Sequence, residues 1–235
     1  MNRAPLDVRT ILRALGPALI AAAMLALVTF DVVLGGPLHS WDSSIRTWAS
    51  SNRSSGLTEF FRDVTALGSG KVAFGIVGVA ALMLAIRRSW VLACFALAAS
   101  TGTAVVVGIT KDLVGRARPP LAGRLVDAGG AAFPSGHAAQ ALALSLALAF
   151  ITYRLWPTTR VKRASIAGAI AITVLVGASR VYLGVHWASD VLGGWLLAAT
   201  WVLLLAAAMT VSTPGPSAPP DPRTPSELEA LRDSS

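Results

Sequence analysis

Residues of the types that bind and transfer phosphate are concentrated in three short groups in the second half of the chain. They are Lys111 and Arg118, then Ser135, Gly136 and His137, and finally Arg180, His186 and Asp190. Cations beside the N-terminus of a helix can hold an anion, and phosphate is the anion that suits them. Two histidines can share the roles of nucleophile and general acid. These residue types predict a phosphoryl-transfer site, if the fold brings the three groups together.

Each group also has an ordinary structural interpretation when it is taken alone. Lys111 suits the polar end of a membrane helix, where a lysine side chain extends toward water. The sequence Pro-Ser-Gly-His suits a helix start with Ser135 as the N-cap. His186 and Asp190 are four residues apart, so on a helix they would share a face and form a pair. The functional interpretation is favoured when the three groups converge at one place. Ionisable groups at a membrane boundary are costly unless they are paired or serve a function.

The composition of the 235 residues is that of a chain that crosses a membrane several times. Apolar residues make up 54% and charged residues 14%, against about 25% charged residues in an ordinary soluble domain. The mean hydropathy is +0.63. These values exclude a soluble globular domain, a disordered chain and a disulfide-rich miniprotein. The net charge of +8 comes from cations spread between apolar runs, which argues against nucleic-acid binding.

Six apolar stretches come close to the roughly 20 residues that a helix needs to cross a bilayer. They run over residues 11–34, 72–86, 90–109, 138–153, 164–178 and 187–209. The predicted fold is therefore all-α, a six-transmembrane-helix bundle that occupies residues 1–211. Residues 212–235 are rich in proline and serine and are predicted to form a disordered cytoplasmic tail. In residues 57–67 the apolar side chains recur at helical spacing, which predicts an amphipathic helix that covers a site or packs on the bundle.

The basic residues between these stretches predict how the chain is oriented. Arginine and lysine precede the first stretch and lie between the second and third and between the fourth and fifth, and such segments face the cytoplasm. Both termini then lie in the cytoplasm, and the three phosphate-binding groups lie at the outer face. The outer segments also contain arginines that this rule does not explain: Arg46, Arg53, Arg62, Arg116, Arg118 and Arg124.

The three groups match a set of known signatures in order and in spacing. Residues 111–119 fit K-x6-R-P, residues 134–137 are P-S-G-H, and residues 179–190 fit S-R-x5-H-x3-D. The chain therefore resembles the type 2 phosphatidic acid phosphatase family, integral membrane phosphatases that share a core with the vanadium haloperoxidases. The resemblance covers nearly the whole chain except the tail. It implies a vanadium-haloperoxidase-like phosphatase core within the six-span bundle.

The resemblance also implies a role for each residue of the three groups. His186 would attack the phosphorus and form a phosphohistidine, Asp190 would orient its ring, and His137 would protonate the leaving oxygen. The phosphate would be bound by Lys111, Arg118, Ser135, Gly136 and Arg180. These cations would neutralise charge as a metal ion does elsewhere, so neither a metal nor another cofactor is expected.

A site at the membrane boundary suits a substrate whose tail stays in the bilayer while its headgroup is bound. We expect a lipid phosphate or diphosphate, such as undecaprenyl diphosphate, phosphatidylglycerol phosphate or phosphatidic acid, at the outer face of a bacterial plasma membrane. Analogy favours a polyprenyl diphosphate. Two other hypotheses stay open: transfer of the phosphoryl group to an acceptor other than water, and a non-catalytic transporter that binds a lipid headgroup. The two histidines argue against the transporter, because binding needs no nucleophile.

Several apparent signals predict no function. Residues 68–71, Gly-Ser-Gly-Lys, resemble the end of a P-loop, but the first glycine and the final Ser or Thr are missing, so no nucleotide is expected. No cluster of cysteine and histidine has the spacing of a zinc site. Asp112 and Arg116, in the spacer of the first signature, are interpreted as solvated or paired loop charges. His39 lies outside every signature and is assigned no role.

Overall fold

The computed structural model of the chain describes residues 8–212, and the regular structure of this part is helical throughout. Its helices are α1 (Val8–Leu34), α2 (Leu38–Ser51), α3 (Ser55–Ala66), α4 (Gly70–Ile86), α5 (Trp90–Val114), α6 (Gly136–Leu155), α7 (Thr159–Tyr182) and α8 (Ala188–Ser212). The predicted all-α class is confirmed. The predicted tail lies outside the described residues, except for Ser212, which ends α8.

The six apolar stretches of the sequence lie in α1, α4, α5, α6, α7 and α8. All of these helices except α4 are long and apolar enough by themselves to cross a membrane. Helix α4 has only 17 residues, but α3 and α4, joined by a short break with a bend of 46°, together qualify as a sixth span. The prediction of a six-span bundle is confirmed. The second span differs from the prediction, because α4 qualifies as a span only together with α3, across the bend.

The faces that these helices turn away from the bundle are apolar. Leu27 and Phe30 of α1, Ile86 of α4 and Val91 of α5 are each more than 60% exposed. Large apolar side chains on a surface destabilise a protein in water but suit contact with lipid chains. The chain is therefore a multi-pass membrane protein.

Helix α6 lies at the centre of the bundle, where it contacts α4, α5, α7 and α8. Its buried face includes Ala139, Ala143 and Ala147, and such small residues let membrane helices approach one another closely. Two hydrogen bonds of 3.0 Å also join the side chain of Gln140 to the hydroxyl and carbonyl of Ser100 in α5. Close packing and polar links therefore fix the helix that carries the second phosphate-binding group.

Two further helices, α2 and α3, lie between the first and second spans. Helix α2 was not predicted, because it is polar along most of its length and buries only Asp42 and Ala49. Helix α3 corresponds to the predicted amphipathic helix at residues 57–67. It packs on α7, where the rings of Phe61 and Tyr182 lie 4.6 Å apart, and this agrees with the interpretation of a helix packed on the bundle.

The up-and-down path of the spans brings two connections to the same end of the bundle. Helix α5 ends at Gly115, which adopts φ = +60° and stops the helix. The chain then runs through residues 115–135 before α6 begins, and α7 and α8 are joined by residues 183–187 at the same end. All three groups of phosphate-binding residues lie in these connections or in the helix turns beside them.

Candidate active site

The ring of His186 is buried in the turn between α7 and α8, with only 3% of it exposed. Its Nδ1 lies 3.3 Å from Asp190 Oδ2, and its Nε2 lies 3.0 Å from Arg118 Nη1. A guanidinium can only donate, so Nε2 accepts and the ring proton resides on Nδ1, facing the carboxylate. Burial lowers the pKa of His186 to about 4, although Asp190 opposes the shift. The ring is therefore neutral at pH 7, with the lone pair of Nε2 directed toward Arg118.

The carboxylate of Asp190 is fully buried in the first turn of α8 and is held on both oxygens. Oδ2 accepts from the backbone N–H of Trp187 at 2.9 Å in addition to facing His186. Oδ1 accepts from Arg116 Nη1 at 2.5 Å. The backbone carbonyl of Asp190 also accepts from the N–H of Ser135 at 2.8 Å. This last bond joins the start of α8 to the start of α6, so the second and third groups are fixed relative to each other.

The guanidinium of Arg118 is fixed by backbone carbonyls on three sides. Nη1 donates to Val185 at 2.8 Å, Nη2 to Gly129 at 2.8 Å, and Nε to Gly130 at 3.0 Å. Burial lowers the pKa of Arg118 and Asp190 opposes the shift, but a guanidinium remains a cation at neutral pH. Arg118 is therefore a positive charge held in place beside the nucleophilic nitrogen of His186.

Two polar atoms in this region are buried and have no hydrogen-bonding partner among the described residues: Arg180 Nε and Ser135 Oγ. Arg180 is anchored through Nη1, which donates to Thr65 Oγ1 at 2.7 Å. Ser135 is the N-cap residue of α6, as predicted, but its hydroxyl does not cap the helix. Buried polar atoms usually have partners because leaving them unpaired is costly. These two groups are therefore donors near His186 that no described residue uses.

The remaining predicted residues lie close to the same point. Lys111, in the last turn of α5, donates from Nζ to the carbonyl of Ala131. Gly136 and His137 begin α6, whose first backbone N–H groups point out of the helix end. His137 interacts electrostatically with Arg180, His186 and both cations of the first group. The structure thus brings all three predicted groups together at one end of the bundle.

The sequence did not predict the residues that contact the three phosphate-binding groups and hold them in place. Arg116 forms ion pairs with Asp190 and with Asp42 of α2, at 2.5 and 2.8 Å. Of the two earlier interpretations of Arg116, a paired charge is therefore the correct one. Thr65 of α3, which anchors Arg180, was also missed. The sequence offered one signal for Arg116, its position two residues before Arg118 of the first signature. Nothing in the sequence indicated which residues it pairs with.

The other outer arginines support the irregular connection between α5 and α6. Arg53 donates to the carbonyls of Gly123 and Tyr182, each at 2.9 Å. Arg62 donates to the carbonyl of Leu125 at 3.0 Å, and Arg124 to that of Pro119 at 2.8 Å. A segment without regular structure has carbonyls that need donors. These contacts explain why cations are frequent on a side that the charge rule predicts to have few.

An open cavity of about 590 Å³ lies on the side of the first phosphate-binding group and is lined by Lys111, Asp112, Arg116 and Arg118 among others, but not by His137 or His186. Its polar lining suits a charged headgroup. Within residues 8–212, the structure contains no group of three or more His, Cys, Asp or Glu side chains that could hold a metal ion. Among the described residues, Lys111, Arg118 and Arg180 place positively charged side chains at the site.

A neutral histidine oriented by a carboxylate, beside fixed cations and at the end of an apolar helix bundle, is an arrangement that suits phosphoryl transfer at a membrane. Comparison with known proteins gives the family of the chain. A model of the PAP2 superfamily matches residues 89–214, and the chain belongs to that superfamily. The matched region contains all three signatures.

Two curated proteins show the relationship in more detail. Phosphatidylglycerophosphatase B of Bacillus subtilis (strain 168) is 32% identical over 179 residues, which are 73% of this chain and 87% of that protein. An undecaprenyl-diphosphatase of Sulfolobus acidocaldarius is 40% identical over 84 residues, or 36% of this chain and 35% of that protein. The second similarity is thus confined to about a third of each chain.

The fold matches a solved structure. The crystal structure of a transmembrane PAP2-type phosphatidylglycerolphosphate phosphatase from Bacillus subtilis superimposes with a TM-score of 0.74 at 26% identity, over 81% of this chain and 96% of that chain. The resemblance stated from the three signatures is confirmed by these matches, and so are the predicted enzyme class and the membrane-bundle fold.

Proposed function

We propose that this phosphatase hydrolyses a lipid phosphate or diphosphate at the outer face of the membrane, through a phosphohistidine on His186. The observation that carries the proposal is the arrangement of the His186 ring. Asp190 holds the proton on Nδ1, and Nε2 presents its lone pair where Arg118 would bind the phosphate. The unpaired Nε of Arg180 and the unpaired hydroxyl of Ser135 supply further donors for the phosphate oxygens.

The first step forms a bond between His186 Nε2 and the phosphorus as the bond from the phosphorus to the lipid oxygen breaks. The electron pair of the broken bond leaves on the lipid oxygen, which takes a proton from His137. A bound phosphate dianion offsets the surrounding cations, and this favours the protonated form of His137. Lys111, Arg118 and Arg180, with the N–H of Gly136, stabilise the charge on the transferring oxygens.

The second step returns the enzyme to its starting state. His137, now neutral, takes a proton from a water molecule as the oxygen of that water attacks the phosphorus. The bond between phosphorus and Nε2 breaks, its electron pair returns to Nε2, and inorganic phosphate leaves. His137 is thus the acid of the first step and the base of the second.

The substrate proposed is a lipid because the site lies at the end of a bundle whose sides are apolar. Phosphatidylglycerol phosphate is the first candidate, since the relative named for that activity is similar over most of this chain. Undecaprenyl diphosphate, favoured by analogy at the sequence level, is the second, because the 84 residues shared with an undecaprenyl-diphosphatase give a higher identity. Neither a nucleotide nor a nucleic acid takes part in the proposed reaction.

Phosphate release by the purified protein tests the proposal. The assay uses detergent, excess EDTA and a panel of phosphatidylglycerol phosphate, undecaprenyl diphosphate, phosphatidic acid and a sugar phosphate. We expect release from a lipid substrate that survives EDTA and is lost in His186→Ala without loss of folding. The matched control is His39→Ala, which removes an exposed histidine that lies beside the ring of Trp187 and belongs to none of the three signatures.

Three results would contradict parts of the proposal. Full activity in His186→Ala would remove the assignment of the nucleophile. Dependence on an added divalent cation would show that the arginines and lysine are not sufficient. Binding of a lipid phosphate by the folded protein, with no release to water or to an added alcohol, would favour headgroup binding over hydrolysis and over phosphotransfer.

A further inference from the structure

Asp42 is a buried carboxylate in a helix that is otherwise mostly exposed. It lies in α2, is only 2% exposed, and belongs to a stretch outside the residues matched by the family model. A charge in such a position needs partners, because burial without them is costly. Oδ1 accepts from the N–H of Ser189 at 2.8 Å, and Oδ2 accepts from the hydroxyl of Ser189 at 2.5 Å. The third partner is Arg116, whose Nη2 donates to Oδ2 at 2.8 Å.

A continuous chain of hydrogen bonds and ion pairs connects Asp42 to the ring of His186. Arg116 donates from Nη2 to Asp42 and from Nη1 to Asp190. The second oxygen of Asp190 faces Nδ1 of His186. Arg116 is itself held over the ring of Trp187, with 5.8 Å between the guanidinium carbon and the ring centroid. One guanidinium therefore joins two buried carboxylates, and the nucleophile is at the end of the series.

Asp42, Arg116 and Asp190 form a buried series of charges, and the sum of these charges affects the charge that His186 can carry during the reaction. Asp42 and Asp190 are each negative and Arg116 is positive, so the three groups together carry one negative charge. When Nε2 of His186 forms a bond to phosphorus while Nδ1 keeps its proton, the ring becomes positive. Without Asp42, the charge of Asp190 would be offset by Arg116, and the new positive ring would lose the net negative charge on its Nδ1 side.

We propose that Asp42 is a positioning residue for the reaction, which acts through Arg116 and Asp190 to stabilise the cationic phosphohistidine. The inference rests on the proposed function, in which His186 is the nucleophile. It also gives α2 a role in the reaction, because the carboxylate of Asp42 in this helix makes the net charge of Asp42, Arg116 and Asp190 negative.

The variant Asp42→Asn tests the charge with little change of shape. Asparagine keeps an acceptor for the N–H of Ser189 but removes the negative charge. We expect kcat for phosphatidylglycerol phosphate to fall on the order of 10- to 100-fold, with KM changed by less than about threefold because no substrate contact is lost. Folding is checked by size-exclusion chromatography and thermal unfolding in the same detergent.

Trapping the phosphoenzyme separates the charge from a merely structural role. With radiolabelled phosphatidylglycerol phosphate and an alkaline quench, Asp42→Asn is expected to form phosphohistidine more slowly but to hydrolyse it no more slowly than the wild type. The steady-state level of phosphoenzyme then falls. A distorted site would slow both steps, and that result would overturn the inference.

The double variant Asp42→Asn/Arg116→Gln gives the sharpest distinction. Removing one charge of each sign leaves Asp190 alone, so the series again carries one negative charge, and the two amides can hydrogen-bond to each other. We expect kcat to recover at least about threefold over Asp42→Asn. A purely structural role predicts a further loss, which would overturn the proposal.

The remaining outcomes are also decisive. If Asp42→Asn does not fold, the double variant is compared with the wild type, and retention of kcat within about tenfold is expected. A loss greater than about a thousandfold in the folded double variant, or unchanged kcat in folded Asp42→Asn, would contradict the inference. Failure of the proposed function is distinguishable, because the wild type would then release no phosphate and trap no phosphoenzyme.

Discussion

The two ring nitrogens of His186 have different neighbours, and this difference gives each nitrogen a different role. Asp190 faces Nδ1, while Arg118 donates to Nε2. In the proposed reaction the arriving phosphate takes over the donor of Arg118, and the lone pair of Nε2 is then directed at phosphorus. A histidine in the opposite tautomer would present a proton there instead and could not attack.

Acidification is expected to destabilise the folded protein between about pH 6.5 and about pH 4. Burial lowers the pKa of His186 from 6.5 to about 4. In this window the unfolded chain binds a proton that the folded chain does not, so stability rises with pH across the window and levels off above it. Thermal unfolding in detergent, measured at several pH values, checks this expectation.

His186→Asn should make that pH dependence shallower, because one of the groups that contribute to it is absent. The matched control is His39→Asn, in which the exposed histidine at the start of α2 is replaced. Equal slopes for His186→Asn and the wild type would contradict the assignment of the effect to His186.

Ser135→Ala is expected to lower kcat/KM by about 100- to 1,000-fold without loss of stability. The hydroxyl of Ser135 is buried and has no partner among the described residues, so its removal breaks no bond of the folded protein. A donor aimed at developing charge contributes this order of rate enhancement. Ser145→Ala, a buried serine further along the same helix, is the control, and equal effects at both positions would argue against a role in phosphate binding.

The short break between α3 and α4 lets one segment of chain both cover the site and enter the membrane. Thr65, near the end of α3, accepts from Arg180, and Gly68 in the break packs against α6 and α7. A Cβ on Gly68 would lie 2.8 Å from the carbonyl oxygen of His137 and 2.5 Å from a methyl group of Val176. The glycine is therefore required by close approach to the side chain of Val176 and to the backbone of His137.

Gly68→Ala is expected to lower kcat by more than about tenfold, because the added methyl group must displace the first turn of α6 or the break itself. Gly70→Ala is the matched control, since a Cβ there meets only Phe74, at ordinary contact distance of 3.8 Å. Phosphate release by the two folded variants in the same detergent checks the prediction. Similar activity in both would mean that the break tolerates movement without effect on His137.

The bundle as a whole determines which face of the membrane meets the substrate. The site lies at the end where α5 and α7 finish, and the turns between α4 and α5 and between α6 and α7 lie at the opposite end. Arg87 and Arg88 lie in the first of these turns, and Arg154 lies in the last turn of α6, just before the second. By the positive-inside rule we expect the opposite end to be cytoplasmic. The proposed site would then face outward, in a bacterium from the plasma membrane.

Labelling in intact cells with a membrane-impermeant maleimide is expected to reach Leu121→Cys but not Arg88→Cys, each made in a Cys94→Ser background. Leu121 is 78% exposed in the connection at the site end, whereas Arg88 is in the turn at the other end. Permeabilised cells should show labelling of both, which serves as the control. The reverse pattern would place the site in the cytoplasm.

The sequence by itself determined the apolar spans and the identity of the groups that could carry the chemistry. Both are local properties: an apolar run must be covered by lipid or protein, and a spacing of four residues keeps His186 and Asp190 close enough to pair, although His186 lies in the turn before α8. The family signatures added the order in which these groups occur. The amphipathic pattern of residues 57–67 likewise predicted α3 within two residues at its N-terminal end and one at its C-terminal end.

Only the tertiary structure decided what completes the site. The partner of Arg116 lies 74 residues away, at Asp42, in a polar helix with no pattern that predicts burial, and Thr65 meets Arg180 across 115 residues. The bend between α3 and α4 also depends on how Gly68 packs against α6. Such contacts arise from the way separate helices pack, because pairing of distant charges leaves no periodic trace in the chain, whereas the partition of apolar runs into a membrane does.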